Sequence, residues 1–261
     1  MELLLKGRIA LVTGAGRGMG RGIAQVLSEE GATLLIADIA ETQAAETAKL
    51  ITQTGGKAIS CYVDITDPES VHQMFESGIK SFGKIDILVN NAGITRMNEF
   101  MKIPLTEYKQ VFEVNATGTF ICCQEFARQA IAGKYSGNIV NIASNAGKVG
   151  FPNQLHYNAA KSAVINMTRN LALELAPYNI NVNAVCPGAA ETEMLLDVAK
   201  WVASENSNEN VEGIMKSFAP PQIGRLVQPS EIGRIVAFLA SDASAIIRGQ
   251  SINVDAGATP Y

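Results

Sequence analysis

The stretch Tyr157-Asn158-Ala159-Ala160-Lys161 sets a phenol and an ammonium four positions apart, which on a helix brings both to one face. A phenol with a reference pKa of about 10 is a poor base at neutral pH, but a cation beside it favours the phenolate and lowers that value. Such a pair suits proton exchange with an alcohol or carbonyl oxygen while a redox cofactor takes or gives hydride. A Tyr-x-x-x-Lys pattern alone is common and usually marks a surface pair. Ser144 gives it weight, because it lies upstream at the end of an apolar run. Carboxyl ends of parallel strands are where doubly wound folds place their ligands.

A second cluster lies near the start of the chain. Thr13-Gly14-Ala15-Gly16-Arg17-Gly18-Met19-Gly20 follows a short apolar run and opens a helical pattern. Glycines there permit a tight turn and let backbone approach a pyrophosphate, while free N–H groups at the helix start favour anionic oxygens. Asp38 ends the next apolar run, where a carboxylate can accept hydrogen bonds from an adenosine ribose. The alternative is a solvated loop aspartate. A carboxylate facing the extra phosphate of NADP at ~4 Å is repelled by roughly 1 to 4 kcal/mol. That is about a tenfold to thousandfold preference for NAD. Arg17 argues the other way, since a guanidinium beside the ribose can bind that phosphate, or it can point to solvent. The balance reads as NAD, with NADP possible.

These groups need a scaffold, and the chain spells one out. Apolar runs at Arg8–Val12, Thr33–Ala37, Lys57–Val63, Ile85–Val89, Asn138–Ile142, Asn181–Val185 and Ser251–Val254 read as strands. Between them, helical patterns cover Arg21–Glu30, Ala40–Thr54, Pro68–Phe82, Leu105–Ala132, His156–Ala176 and Pro229–Ala240. The alternation predicts an α/β fold, one doubly wound domain with a parallel sheet of about seven strands and helices on both faces. With 261 residues, 47% hydrophobic and 18% charged, the chain is long enough for a full core. A net charge of -4 and scattered basic residues give no footprint for nucleic acid or for a membrane surface. No apolar run reaches the length needed to span a bilayer. Met1 to Lys6 is too short and too acidic to read as a signal peptide. Cys61, Cys122, Cys123 and Cys186 contain no Cys-x-x-Cys pair and read as reduced, buried thiols of a cytoplasmic protein. Two histidines and no ligand-spaced cluster give a metal mechanism no support.

Taken in order, the motifs resemble those of the short-chain dehydrogenase/reductase family over essentially the whole length. The resemblance rests on Thr13-Gly14-x-x-x-Gly18-x-Gly20, Asp64, Asn90-Asn91-Ala92-Gly93, Asn115, Ser144, Tyr157, Lys161, Pro187-Gly188 and the closing Gly249-Gln250-Ser251-Ile252-Asn253-Val254-Asp255. It implies a Rossmann-type fold with a cofactor half at about 1–140 and a catalytic and substrate half at about 141–261. A variable substrate loop would occupy about 189–218. It also implies that Ser144 hydrogen-bonds the substrate oxygen and that Tyr157 is the acid or base. Lys161 would lower the Tyr157 pKa and bind the nicotinamide ribose. Asn115 would hold a water linking Lys161 to solvent. The cofactor would be lined by Gly14, Gly16, Arg17, Gly18, Met19, Gly20, Asp38, Asp64, Ile65, Asn91, Ala92, Gly93, Tyr157, Lys161, Pro187, Gly188, Ala190 and Thr192. Ala190 stands where a branched residue is commoner, but the family's contact there is through backbone. Arg248 replaces a frequent threonine, and the sequence offers no account of it.

The expected activity is oxidoreduction between a secondary alcohol, polyol or cyclic alcohol and a ketone. An NADPH-dependent 3-oxoacyl thioester reductase is the alternative within that class, and a catalytically silent nucleotide-binding regulatory protein the alternative outside it. His156 reads as a helix-start contact rather than a base, and His72 as a surface residue. Met194, Leu195, Leu196 and Trp201 either line a substrate pocket or pack within a lid over Glu193–Phe218. Lys148 and Arg96 either steer an anionic substrate or are solvated. The long helical patterns hold more apolar positions than one sheet face needs, and the family usually forms homotetramers.

Overall fold

The computed structural model describes residues 3–205 and 210–259. The apolar runs become strands β1 (Ile9–Thr13), β2 (Thr33–Asp38), β3 (Lys57–Tyr62), β4 (Ile87–Asn90), β5 (Gly137–Ile142), β6 (Ile180–Pro187) and β7 (Ser251–Val254). The helices are α1 (Gly18–Glu29), α2 (Glu41–Gln53), α3 (Pro68–Phe82), α4 (Leu105–Phe112), α5 (Gly118–Ala132), α6 (Leu155–Glu174), α7 (Glu193–Glu205), α8 (Val211–Ser217) and α9 (Pro229–Leu239). All strand pairings are parallel, in the order β3-β2-β1-β4-β5-β6-β7. The chain starts in mid-sheet, builds to one edge, then crosses back to lay β4 on the other side of β1. Loops leaving β1 and β4 therefore diverge, and the crevice between them is where such sheets bind ligands.

Central strands are buried on both faces, which is why they read as unbroken apolar runs rather than alternating ones. Successive side chains still divide between two cores. Val12, Leu34 and Ile36 pack with Ile23, Leu27, Ile232 and Val236 on one side. Leu11 and Leu35 pack with Val71, Phe75, Phe126 and Leu175 on the other. Helix α3 begins and ends where its sequence says. Asp67 accepts a hydrogen bond from the Glu69 N–H, Pro68 fills the first turn, and Gly83 closes it at φ 85°.

Three expectations need correction. The single helix predicted over Leu105–Ala132 carries a π-helical turn at Glu113–Thr117. Asn115 Nδ2 donates to the carbonyls of Val111 and Ile94, both at 2.8 Å. A side chain that bonds the carbonyl one turn back competes with the backbone ladder and widens it. The second correction concerns Glu193–Phe218, which holds α7 and α8 packed on each other, with Val198, Ala199 and Ile214 buried. Residues 206–209 of that stretch lie outside the described residues. Cys61 also departs from the buried-thiol reading: it is half-buried on β3, while Cys122, Cys123 and Cys186 are buried. No helix among the described residues is long and apolar enough to cross a membrane.

Phe126 ties α5 to the sheet. It is fully buried, meets Phe75 edge-on at 6.4 Å, and covers Gly137, where a Cβ would come within 2.6 Å of its ring. Phe126→Ala is expected to cost about 3 to 5 kcal/mol in urea denaturation. A loss under about 1 kcal/mol would mean that the cavity collapses and the ring is not a keystone.

Candidate active site

The glycine loop leaves β1 through Gly14, at φ 62°, where a Cβ would lie 2.6 Å from Ala92 Cα. Only glycine fits a left-handed residue pressed on a neighbouring backbone. Asn91 locks the other side, its Nδ2 donating to Thr13 O at 3.0 Å and Gly14 O at 2.9 Å. Its amide thus ties β4 to the loop. Helix α1 then starts with no side-chain cap and no acidic residue in its first turn. Its free N–H groups at Gly18, Met19 and Gly20 remain suited to an anion.

Asp38 is no solvated loop aspartate. Its carboxylate accepts from Gly16 N at 2.8 Å and from Ala40 N at 2.9 Å, fixing it beside the glycine loop. Arg17 is mostly exposed and lies 3.4 Å from Glu193 at the start of α7. Its charge therefore faces a carboxylate across an exposed ion pair. Nothing local in the chain announces this contact, because Arg17 and Glu193 lie far apart in sequence.

The remaining cofactor-lining candidates gather at the carboxyl ends of β3, β4 and β6. Asp64 accepts from Thr66 N and Oγ1, at 2.9 and 2.7 Å. The Ile65 side chain turns into the core, where a Cβ on Gly118 would touch it, so this residue offers backbone rather than side chain to a ligand. Met19 likewise packs on the core. Pro187 ends β6, and Gly188 donates to Val254 O at 3.2 Å. Ala190 is buried and bridged to Val227. Thr192 Oγ1 donates to Ala190 O at 3.3 Å and stands over Gly18.

The proton-handling candidates converge beside them. Lys161 is buried and its Nζ donates to Ile142 O, the last carbonyl of β5, at 2.8 Å. The same Nζ stands 5.7 Å from the centre of the Tyr157 ring. Asn115 is fully buried, and with both amide hydrogens used its Oδ1 has no partner among the described residues. Gly93 separates the two: a Cβ there would lie 2.6 Å from Asn115 Oδ1 and 3.5 Å from Lys161 Nζ. Ser144 caps the short turn after β5, its Oγ accepting from Ala146 N at 3.1 Å.

Burial raises the Tyr157 pKa, and Ser144 offsets part of that rise. The Lys161 ammonium lies over the ring and is bonded to a backbone carbonyl, and burial brings its own pKa down from 10.5 to about 8.

Residues read as ambiguous now have places. Lys148 neither steers nor floats, since its Nζ donates to Ser251 O at 2.6 Å. Arg96 is exposed and bonded to Thr95 O. His72 is half-exposed and contacts Glu125 at 2.9 Å, which raises its pKa. His156 is fully buried, with Nε2 3.2 Å from Glu107 Oε1. Trp201, Leu195 and Leu196 are half-buried on α7 and Met194 is exposed. Arg248 ties the last loop to Asn179 Oδ1 at 3.3 Å. No group of three potential metal-ligating side chains occurs among the described residues.

Comparison with known proteins agrees with this geometry. The family described as enoyl-(acyl carrier protein) reductase matches residues 14–259. The chain is 38% identical to the 3-oxoacyl-(acyl-carrier-protein) reductase FabG of Aquifex aeolicus, over 98% of this chain and 99% of that one. It is 37% identical to the cis-4-hydroxycyclohexanecarboxylate dehydrogenase of Sinomonas cyclohexanicum, over 97% and 96%. The crystal structure of levodione reductase superposes with a TM-score of 0.90 at 30% identity, covering 97% of this chain and 98% of that one.

The Lys161 environment has a signature in stability. Between pH of about 8 and 10.5 the unfolded chain holds a proton that folded Lys161 has released, so stability rises with pH through that window. Urea unfolding of wild type and Lys161→Met at both ends of the window should show wild-type stability rising relative to the variant's, because the buried thiols, whose raised pKa values work the other way, act on both proteins alike. Identical pH dependence in the two proteins would contradict it.

Proposed function

The chain belongs to the short-chain dehydrogenase/reductase family of NAD(P)-dependent oxidoreductases, and from that premise we propose that it interconverts a secondary alcohol and a ketone with NAD as its cofactor. The observation that carries this reading is the convergence of Ser144, Tyr157, Lys161 and Asn115 at the carboxyl end of β5. The residues fit a dinucleotide. Backbone at Gly14, Gly16, Gly18, Met19 and Gly20 would hold its phosphates, and Asp38 its adenosine ribose. Asp64, Ile65, Asn91, Ala92, Gly93, Pro187, Gly188, Ala190 and Thr192 would line the remainder. The uncapped start of α1 and the buried, unpartnered Asn115 Oδ1 are what such a ligand and its proton path call for. Bound nicotinamide supplies hydride in reduction and takes it up in oxidation.

The chain's own groups handle the proton. Ser144 Oγ holds the substrate oxygen beside Tyr157, whose hydroxyl gives its proton to a ketone oxygen or takes one from an alcohol. Lys161 stands ready to steady the phenolate that results, and to hold the nicotinamide ribose. Asn115 Oδ1 holds a water that links Lys161 to solvent, and the proton passes along that water. On this reading residues 1–140 form the cofactor half, 141–261 the catalytic and substrate half, and 189–218 the segment that shapes the substrate site.

NAD is favoured over NADP by Asp38, fixed beside the glycine loop, and by the commitment of Arg17 to Glu193. The relative from Sinomonas, named for a hydroxycyclohexane substrate, supports a cyclic or secondary alcohol. A second reading, NADPH-dependent reduction of a 3-oxoacyl thioester, is supported by the identity to the Aquifex reductase. Exposed Leu105, Phe120, Leu155 and Leu173 on α4, α5 and α6 support a homotetramer joined through these helices. The free cysteines support a cytoplasmic setting.

The test follows reduced-nicotinamide absorbance across polyols, cyclic alcohols, hydroxysteroids and 3-hydroxyacyl thioesters, with NAD and NADP in parallel. Turnover of a secondary alcohol with at least about tenfold preference for NAD is expected. Tyr157→Phe should lose about 10² to 10⁴ in rate. Turnover of thioesters alone, with NADP, would replace the first reading by the second. Silence across the panel from protein that binds NADH would indicate a nucleotide-binding regulator.

Asp38→Ser is expected to bring the rates with NADP within about tenfold of those with NAD by removing the repelling charge. An unchanged cofactor ratio would remove Asp38 as the determinant.

A further inference from the structure

Helices α4 and α6 meet along an apolar seam made by Val111, Phe112, Ala160, Ala163 and Tyr157, joined by Ile94 and Ala116. Apolar packing of this kind is strong but non-directional, so it does not by itself fix how far α6 slides or turns against α4. At one end of the seam is a polar pair. His156, in the first turn of α6, is fully buried, and its Nε2 lies 3.2 Å from Glu107 Oε1 on α4. His156 Nδ1 and Nε2 and Glu107 Oε1 have no well-aligned hydrogen bond among the described residues, which leaves the 3.2 Å approach to Glu107 as the polar contact of the ring. A buried polar pair costs desolvation, and its best-attested return is register. Here the register matters, because Tyr157 directly follows His156 and Asn115 lies further along the chain that carries Glu107.

We propose that His156 and Glu107 form a positioning strut that sets Tyr157 and Lys161 on α6 against Asn115 and Ser144. The inference rests on the reading of Tyr157 as the acid or base. Glu107 from α4 and Arg96 from the segment after β4 are the charged groups acting on His156, and Tyr157 and Lys161 are the titratable groups nearest it on its own helix. Burial lowers the His156 pKa and favours the neutral imidazole, while the Glu107 carboxylate pulls the other way. It touches no reacting atom; it acts through the helix. Without the strut, the first turn of α6 is free to shift along the seam. The hydrogen bond from Ser144, the interaction that lowers the Tyr157 pKa, is the first contact to lengthen.

The test reads Tyr157 directly and needs no known substrate. Full-length protein labelled with [13Cζ]tyrosine is titrated by NMR, and the Tyr157 resonance is assigned by its disappearance in Tyr157→Phe. His156→Leu and Glu107→Leu should each raise the Tyr157 midpoint by about half a unit or more. His156→Gln, whose amide can still donate to Glu107, should restore the wild-type value. Where a substrate is in hand, the leucine variants should lose about tenfold in kcat with the KM for NAD unchanged. If the single leucine variants fail to fold, the His156→Leu/Glu107→Leu double variant leaves neither group buried without its partner and carries the same measurement. A wild-type Tyr157 titration in any folded leucine variant overturns the proposal. Failure of the catalytic reading would look different: Tyr157→Phe would keep its turnover while the titrations still answered the question of the strut.

Discussion

An ammonium group buried at the edge of an apolar sheet is stable only if protein atoms replace the water it has lost. Among the described residues, Lys161 meets that demand through one backbone acceptor, the Ile142 carbonyl. Ile142 is the last residue of β5, one place beyond the point where β4 stops pairing with it, at Asn90 and Asn141. Much of the local architecture follows from keeping that lysine where it is. Gly93 carries no side chain, so Asn115 Oδ1 and the ammonium can share one space. Gly147 lets the turn after β5 press against the backbone of α6 at Lys161, where a Cβ would come within 2.8 Å. Burial lowers the pKa of the lysine to about 8, close enough to neutrality for its proton to be exchangeable.

The same end of the sheet gathers the groups suited to a dinucleotide, and topology is the reason. Because the chain doubles back between β1 and β4, the loops leaving these strands part and open a crevice. Asn91 holds its two sides together by donating to the carbonyls of Thr13 and Gly14. Across it, Glu193 at the start of α7 reaches Arg17 of the glycine loop. As an exposed ion pair it contributes little to stability. Its importance is in where it directs the arginine.

Legibility in the sequence followed the range of the interactions. Gly14, Asp38, Ser144, Tyr157 and Lys161 announce themselves because their roles depend on short spacings and on the ends of apolar runs. The strands were readable for the same reason, and Ser251–Val254 falls where the last apolar run predicts. Asn115 was reached through family resemblance alone. Its π-turn depends on the Ile94 carbonyl, which comes from a distant loop and leaves no local mark. The helices α7 and α8 were hidden by the expectation of a variable loop, although Val198 and Ala199 bury themselves as a helix face would. Lys148 and Arg17 read as anion-binding or solvated cations, and only the folded chain shows Ser251 O beside one and Glu193 beside the other. The helix-start reading of His156 holds, but nothing near it in the chain points to Glu107.

The claim on which the rest turns is that the buried Lys161 ammonium serves the proton chemistry of Tyr157. The most direct measurement is the turnover number of Lys161→Met on whichever alcohol the wild type oxidises, taken at saturating NAD so that weakened cofactor binding does not enter. A fall of about 10² to 10⁴ is expected. Turnover within about threefold of wild type would contradict it and would reduce the lysine to a structural part of the sheet's edge.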